Sequence, residues 1–159
     1  MLTEKERLFL ERAIVLSGQG VQKGNGGPFG CVIVLNDEII GEGSNAVTST
    51  NDPTAHAEVV AIRNACSRLG TFQLDGCDIY TSCEPCPMCL GAIYWARPRR
   101  VIYANTRFDA AGIDFDDDFI YHEINAPMES RKIPFIHAPH AEAKAVFEEW
   151  KRMEGKVRY

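Results

Sequence analysis

The spacing of hydrophobic and polar residues divides the chain into helical and strand-like segments. Apolar positions that recur every three or four residues predict helices over residues 3–18, 54–69, 85–95 and 143–153, with a helical turn at 119–123. Compact apolar runs rich in β-branched residues predict five strands, over 29–35, 38–43, 77–82, 100–104 and 133–137. Thr3 and Glu6 have the spacing of a capping box that begins the first helix, and Gly18 is expected to end it.

The order of these elements favours an α/β fold. Strands that alternate with helices indicate a three-layer α/β/α sandwich around a five-stranded mixed sheet. Asn36-Asp37 offers a turn, so the first two strands are expected to form an antiparallel hairpin and the later strands to run parallel. The 159 residues fit one domain spanning 1–159, since domains usually contain about 100–200 residues.

The hydrophobic pattern gives no sign of a membrane-spanning or secretory segment. No apolar run approaches the roughly 18–20 residues that span a bilayer, so no membrane partner is expected. The N-terminus leads directly into a charged amphipathic pattern that lacks the apolar centre of a signal peptide. We therefore expect a cytoplasmic protein.

The charge balance argues against a nucleic-acid partner. Seventeen basic and 22 acidic side chains give a net charge of -5, whereas proteins that bind a nucleic-acid backbone usually have a basic surplus. Arg97, Arg99 and Arg100 form a compact basic cluster, which is expected to supply favourable charge at a helix C-terminus. The glycine-rich segment 24–30 lacks the Gly-Lys-Ser/Thr of a phosphate loop and precedes the first strand, so it is expected to be a turn.

The cysteines are concentrated in one short segment. Cys83, Cys86 and Cys89, three of the six cysteines, lie within seven residues, beside two prolines. In a chain without a secretory signal, closely spaced cysteines are more often metal ligands or redox groups than disulfide partners. This segment is therefore the first candidate for chemistry.

A second segment supplies the remaining groups of a zinc site. His56 and Glu58 stand where one predicted helix begins, and Cys86 and Cys89 stand where another begins. One imidazole and two thiolates suit a single Zn²⁺ ion and leave a fourth position for water, with Glu58 as the carrier of protons. Residues two apart on a regular helix point about 200° away from each other, so His56 and Glu58 must lie at the irregular start of the helix. Together these four residues form the His-x-Glu and Pro-Cys-x-x-Cys signature of zinc deaminases that act on nucleobases.

Two other interpretations of the cysteine segment remain. Cys83 could join His56, Cys86 and Cys89 in a closed, four-ligand structural zinc site. The second interpretation is a non-enzymatic zinc module that mediates protein contacts, in which Glu58 has no role. The position of Cys83 at the end of a strand favours a buried thiol near the site rather than a ligand.

Two long motifs resemble the cytidine-deaminase-like superfamily. They are Thr54-Ala-His-Ala-Glu58 and Tyr80-Thr-Ser-Cys-Glu-Pro-Cys-Pro-Met-Cys-Leu-Gly-Ala-Ile-Tyr-Trp-Ala-Arg-Pro98. Within that superfamily the chain is similar to the short bacterial guanine deaminases over nearly its whole length. This similarity includes Gly26-Gly-Pro-Phe-Gly30, Asn51-Asp-Pro53 and Phe115-Asp-Asp117. The resemblance implies zinc-dependent hydrolysis of guanine at C2 by activated water, with Glu58 as proton shuttle.

The resemblance also implies a set of substrate contacts. Phe29 would stack on the purine and Asn45 would hydrogen-bond it, Asp117 would contact the base, and Tyr159 would help to close the pocket. Each residue also has an ordinary structural interpretation: Phe29 as core, Asn45 as a turn residue, Asp117 as part of a solvated acidic run, and Tyr159 as a frayed terminus. A carboxylate at position 117 does match the N–H donors of guanine.

The sequence leaves several substrates open, and the resemblance implies an assembly. Guanosine, cytosine and adenosine in tRNA are the alternative substrates. The resemblance implies a homodimer in which the C-terminal helix and tail, about 139–159, are exchanged and cover the partner's site.

Overall fold

A mixed sheet flanked by helices organises the first part of the chain. The computed structural model describes residues 1–115 and 117–159, so the middle residue of the Phe115-Asp-Asp117 motif lies outside it. In chain order the helices and strands are α1 (Glu4–Gln22), β1 (Gly30–Leu35), β2 (Glu38–Ser44), α2 (Val47–Thr50), α3 (Ala57–Leu69), β3 (Asp78–Cys83), α4 (Pro87–Ala96), β4 (Arg100–Asn105), α5 (Arg107–Ala111), α6 (Asp118–Asn125), a 3₁₀ turn (Met128–Ser130) and α7 (Ala141–Arg152).

The strands lie in the order β2-β1-β3-β4. β1 pairs antiparallel with both β2 and β3, while β3 and β4 pair parallel. Asn36 and Asp37 connect β1 and β2 with positive φ angles of 50° and 65°, which suit a tight hairpin turn. The predicted hairpin is therefore confirmed. One edge of the sheet collects the start of β1 and the ends of the other three strands.

Two apolar clusters on opposite faces of the sheet confirm the three-layer arrangement. On one face α3 and α4 pack on the sheet, and the buried members are Cys31, Ile33, Ile40, Ala57, Ala61, Ala65, Leu74, Cys77, Ile79, Ile93 and Ala96. On the other face α1 packs on the sheet, where the buried members are Ala13, Val32, Val34 and Tyr80. Neighbouring residues of β1 alternate between the two clusters, as strand geometry requires.

The predicted fifth strand is wrong. Residues 133–137 form no strand, and the sheet within the described residues has four strands. Ile133 and Ile136 are 72% and 88% exposed, unlike the side chains of a core strand. Pro134 also lacks the N–H group that a strand interior needs. An apolar run alone cannot establish that a partner strand exists.

Several element ends differ from the sequence prediction. The Thr3–Glu6 capping box is present, but α1 continues past Gly18 and Gly20 to Gln22, because each glycine costs a helix only about 1 kcal/mol relative to alanine. α3 begins at Ala57 rather than at residue 54. The helical turn expected at 119–123 is a helix, α6, which extends from Asp118 to Asn125.

The C-terminal residues Phe119–Tyr159 form a separate contact unit from Met1–Asp118. Within it, the Lys132 N–H donates to Glu123 Oε2 at 2.9 Å, and the Arg131 guanidinium lies 5.0 Å from the centre of the Phe135 ring. The final predicted helix is present as α7. None of the helices in the described part of the chain has the length and hydropathy needed to cross a bilayer.

Arg97 lies at the C-terminus of α4 as expected, but Arg99 and Arg100 have a different role. Arg99 donates two hydrogen bonds to Asp78, at 2.8 and 2.6 Å, and Arg100 contacts both Asp78 and Glu6. Burial would raise the pKa of the Asp78 carboxyl, but the hydrogen bonds from Arg99 and Arg100 outweigh it and lower that pKa to about 2. Two of the three arginines therefore join β3, β4 and α1 through ion pairs instead of complementing a helix terminus.

Gly43 allows the start of α3 to lie directly on the sheet. A Cβ atom at Gly43 would collide with the Ala57 carbonyl oxygen and would lie 2.7 Å from the Ala61 nitrogen. Ala57 is the first residue of α3 and stands between His56 and Glu58. Because Gly43 has no side chain, α3 lies close to the sheet, and this position of the helix determines where His56 and Glu58 lie at the sheet edge.

We expect Gly43→Ala to destabilise the protein by about 1–3 kcal/mol, the usual cost of overpacking a tight core contact. Gly91→Ala is the matched control, because Gly91 lies in α4 and a Cβ there meets no atom within 4 Å. The control should be stabilised by roughly 0.5–1 kcal/mol through helix propensity. Urea unfolding followed by circular dichroism measures both changes, and equal stability of the two variants would contradict the close contact.

Candidate active site

The backbone before α3 places His56 outside the helix. His56 is the N-cap of α3, with extended φ and ψ angles of -70° and 155°. The Asp52 side chain holds the preceding turn by accepting from the Thr54 N–H at 2.8 Å and from the Thr54 hydroxyl at 2.7 Å. The extended cap lets His56 and Glu58 face the same space, as the sequence analysis required.

The cysteine pair is presented in the same way by α4. Cys86 is the N-cap of α4, with φ and ψ of -66° and 169°, and Pro87 follows as the first helical residue. Proline suits this position because its missing N–H would have no helical partner there. Cys89 lies one turn into the helix and is fully buried. The helix therefore begins two residues later than predicted, at Pro87 instead of Pro85.

The three candidate ligand groups meet at one point. His56 Nδ1 lies 3.5 Å from Cys86 Sγ and 3.6 Å from Cys89 Sγ. All three ligand atoms fall within 4.8 Å of one another. A zinc ion forms a bond of about 2.3 Å to sulfur and one of about 2.05 Å to nitrogen. If these bonds meet at a tetrahedral angle, the sulfur and nitrogen atoms lie about 3.6 Å apart. The donor set and its spacing therefore fit a zinc ion.

Cys83 lies apart from this group. It is the last residue of β3, it is buried, and its Sγ lies 3.5 Å from the Thr106 carbonyl oxygen, to which it donates. Among the residues that the structure describes, the group of candidate metal ligands contains His56, Cys86 and Cys89 without Cys83. Burial raises the pKa of the Cys83 thiol to about 11, so it stays protonated at neutral pH. This arrangement favours the open three-ligand site.

The two thiols of the group differ in acidity. The interaction between the two sulfur atoms lowers the pKa of the Cys86 thiol and raises that of Cys89. His56 contributes to the lowering through its own contact with Cys86 Sγ, and that contact raises the pKa of His56. A thiolate is the form that binds zinc, so Cys86 is already biased toward the ligand form.

Glu58 lies beside this group and is only 6% exposed. Its Oε2 accepts from Cys89 Sγ and its Oε1 accepts from the Thr81 hydroxyl, each at 3.4 Å. Burial raises the pKa of the Glu58 carboxyl. A carboxyl whose pKa moves toward neutrality can both accept and return a proton, which is what general acid–base catalysis needs.

Phe29 and Asn45 are brought together at the same edge of the sheet. The Asn45 N–H donates to the Phe29 carbonyl at 3.0 Å, and the Ala46 N–H donates to the Ala55 carbonyl at 2.9 Å, next to His56. Asn45 Oδ1 accepts from the Gly27 and Val47 N–H groups at 3.3 and 3.2 Å. With its oxygen engaged in this way, the buried Asn45 side chain has its NH₂ group left to donate.

The positions of Asp117 and Tyr159 are described by burial and charge and not by contact distances. Asp117 is half-buried, and its negative charge is one of the smaller causes that raise the pKa of His56, so it lies near the ligand group. Tyr159 belongs to the C-terminal unit and is 68% exposed. The contacts that assemble Phe29, Asn45, Glu58 and the ligand group all lie within the first unit.

Thr81 is a further residue of the site, which the sequence motifs did not indicate. It lies in β3, is almost fully buried, and donates to Glu58. A hydroxyl in a fully buried strand needs a hydrogen-bond partner, and this could have singled Thr81 out.

Comparison with known families agrees with this geometry. Residues 3–105 match the family described as the cytidine and deoxycytidylate deaminase zinc-binding region. The matched segment contains α1, the whole sheet and all four of His56, Glu58, Cys86 and Cys89. The chain therefore belongs to this family of zinc-binding deaminases.

The individual relatives of the chain include guanine and adenosine deaminases. The chain is 58% identical to a guanine deaminase of Bacillus subtilis over 151 residues, which cover 95% of this chain and 97% of that protein. A crystal structure of guanine deaminase from Bacillus subtilis superposes with a TM-score of 0.95 at 55% identity, covering 99% of each chain. The chain is also 33% identical to a tRNA-specific adenosine deaminase of Aquifex aeolicus, over 89% of this chain and 91% of that protein.

We expect Cys86→Ser to weaken zinc binding by at least roughly 10–100-fold, the loss that follows even from disturbing outer-shell partners of a metal. Cys83→Ser is the matched control, since this thiol is three residues away but outside the ligand group. The control should retain one zinc ion per chain, measured by atomic emission after dialysis against a competing chelator. Loss of zinc from both variants would instead indicate a four-ligand site.

Proposed function

We propose that this protein catalyses the hydrolysis of guanine to xanthine and ammonia. The observation that carries the proposal is the buried Glu58 carboxyl beside a ligand group with the spacing of a tetrahedral zinc site. The 58% identity to a guanine deaminase supports the choice of guanine within the deaminase family.

In this proposal His56, Cys86 and Cys89 hold the zinc ion, and Glu58 transfers protons. Zinc supplies Lewis-acid activation, which lowers the pKa of water so that it becomes a nucleophile near neutral pH. As the water oxygen adds to C2, Glu58 accepts its proton and gives it to the adjacent ring nitrogen. Glu58 then passes a second proton from the added oxygen to the amino group, which leaves as ammonia while the C2 carbonyl of xanthine forms.

The remaining site residues are proposed to hold the base. Phe29 offers a ring face for stacking on a flat purine. The Asn45 NH₂ group would donate to an acceptor of the base, because its oxygen is already bound to two backbone N–H groups. Asp117 would accept from guanine N–H groups. Tyr159 would close the pocket.

We expect Glu58→Gln to lower kcat by at least about 10²–10⁴-fold, since glutamine keeps the shape of the side chain but carries no transferable proton. The measurement is ammonia release from guanine, together with the zinc content of each protein. Glu38→Gln is the control, because Glu38 begins β2 whereas the site lies where β2 ends. A zinc-loaded Glu58→Gln enzyme with wild-type activity would refute the assigned role.

Related substrates are the nearest alternative. The 33% identity to a tRNA-specific adenosine deaminase favours an RNA substrate, whereas the net charge of -5 and the paired arginines argue against one. Ammonia release from guanine, guanosine, cytosine and a tRNA bearing the target adenosine separates the candidates. Turnover of guanine alone supports the proposal, and turnover of tRNA alone overturns it.

We also propose a homodimer in which residues of about 139–159 are exchanged and Tyr159 reaches the partner's site. Val146, Phe147 and Trp150 of α7 and the following Met153 are apolar and exposed in the single chain. Exposed apolar clusters of this kind often mark interfaces, and exchange of an identical segment gives a closed twofold dimer. The proposal includes one further partner, a small purine base, and neither a nucleic acid nor a membrane.

Coexpression of two inactive variants tests the exchange. A Tyr159→Ala chain retains Glu58, and a Glu58→Gln chain retains Tyr159. If segments are exchanged, random pairing repairs one site in each mixed dimer, and we expect about a quarter of wild-type activity. Activity no greater than that of the separately purified variants would contradict the exchange.

Finally, we propose a cytoplasmic location. All six cysteines are free, including the half-buried Cys66 and Cys86. Free thiols persist in the reducing cytoplasm, whereas oxidising compartments favour disulfides. Fractionation of cells that produce the tagged protein tests this location, and recovery in a secreted fraction would contradict it.

A further inference from the structure

Two phenylalanine rings meet at the edge of the candidate site. The centres of the Phe29 and Phe115 rings are 4.9 Å apart, and the ring planes are inclined at 88°. Edge-to-face contact of this kind is a favoured geometry for aromatic pairs. Phe115 therefore presents its ring to Phe29 at an angle that aromatic electrostatics stabilises.

Gly27 contacts both rings. A Cβ atom at Gly27 would lie 2.7 Å from Phe115 Cζ and 3.0 Å from Phe29 Cε2, so an added side chain would force the rings to shift. The Gly27 N–H also donates to Asn45 Oδ1. Gly27 therefore contacts the two rings and also the Asn45 amide that is proposed to bind the base.

The backbone after α5 directs Phe115 to this position. Asp114 adopts a left-handed conformation with φ of 67°, and the Phe115 N–H donates to the Ala110 carbonyl at 3.1 Å. α5 is itself held at its start, where Glu84 accepts from the Arg107 N–H at 3.1 Å. The turn is therefore fixed to the loop that carries Cys86.

Burial in the core does not explain Phe115. Its side chain is 44% exposed, and it belongs to neither of the two apolar clusters of the sheet, whereas Phe29 packs against one of them. Such an exposed ring contributes less to folding than a buried one, which would contribute about 1.5–3 kcal/mol. The described contacts of its side chain include the Phe29 ring and the backbone at Gly27.

We propose that Phe115 is a positioning residue for the substrate ring: its edge-to-face contact fixes the orientation of Phe29 and, through Gly27, the loop that holds the Asn45 amide. The proposal rests on the proposed function, in which Phe29 and Asn45 contact guanine. Phe115 itself touches none of the reacting atoms. Its contribution is to binding, equally in the ground state and the transition state.

Steady-state kinetics with guanine test this role. We expect Phe115→Ala to raise KM by roughly 3–10-fold, the loss that corresponds to one aromatic pair, while kcat stays within about twofold. Gly27→Ala should raise KM similarly by forcing the rings apart. Ile113→Ala is the matched control, since Ile113 is exposed in the same turn but outside the ring pair. A merely structural role would lower the active fraction, and so kcat, without this rise in KM.

A second readout is independent of catalysis. With 4-fluorophenylalanine placed at position 29, we expect the ¹⁹F resonance to shift in Phe115→Ala and to stay unchanged in Ile113→Ala. If wild-type protein deaminates guanine but Phe115→Ala and Ile113→Ala have the same KM, the positioning role is refuted. If wild-type protein releases no ammonia from guanine, the proposed function fails, and the ¹⁹F shifts still decide whether the rings are coupled.

Discussion

The convergence of two helix beginnings on one edge of the sheet is the constraint on which the site depends. His56 and Cys86 are both extended N-cap residues, so each projects its side chain from the entrance of a helix instead of from its surface. A helix that began a turn earlier would point His56 and Glu58 about 200° apart. The contact of Gly43 with Ala57 fixes where α3 begins relative to the sheet, and so links a core glycine to the geometry of the ligand group.

The electrostatics of the group are unfavourable without a cation. The buried Glu58 carboxyl contacts the Cys89 thiol and lies near that of Cys86, and His56 supplies only partial neutralisation. Placing one Zn²⁺ ion among two thiolates and a carboxylate leaves a net charge near -1, which makes the burial of Glu58 far less costly. The same burial raises the pKa of Glu58 toward the range in which a carboxyl can exchange protons. Binding of the metal and tuning of the acid are thus consequences of one arrangement.

Local sequence spacing was sufficient for the features that depend on near neighbours. The hairpin followed from Asn36-Asp37, and the irregular start of α3 followed from the two-residue separation of His56 and Glu58. Features that depend on distant partners were not predictable in this way. The apolar run at 133–137 had the composition of a strand but no strand to pair with, and Arg99 found its partner in Asp78 on the neighbouring strand. Likewise, neither the Thr81–Glu58 contact nor the pairing of Phe29 with Phe115 leaves a periodic signal in the chain.

In the proposed site, one histidine and two cysteines hold zinc and leave a position open for water. X-ray absorption at the zinc edge of the purified, zinc-loaded protein tests this claim most directly, because sulfur and lighter scatterers are distinguishable by distance. We expect two sulfur atoms at about 2.3 Å and two nitrogen or oxygen atoms at about 2.0–2.1 Å, of which His56 supplies one. Three sulfur atoms around the ion would mean that Cys83 fills the open position, and would contradict the claim.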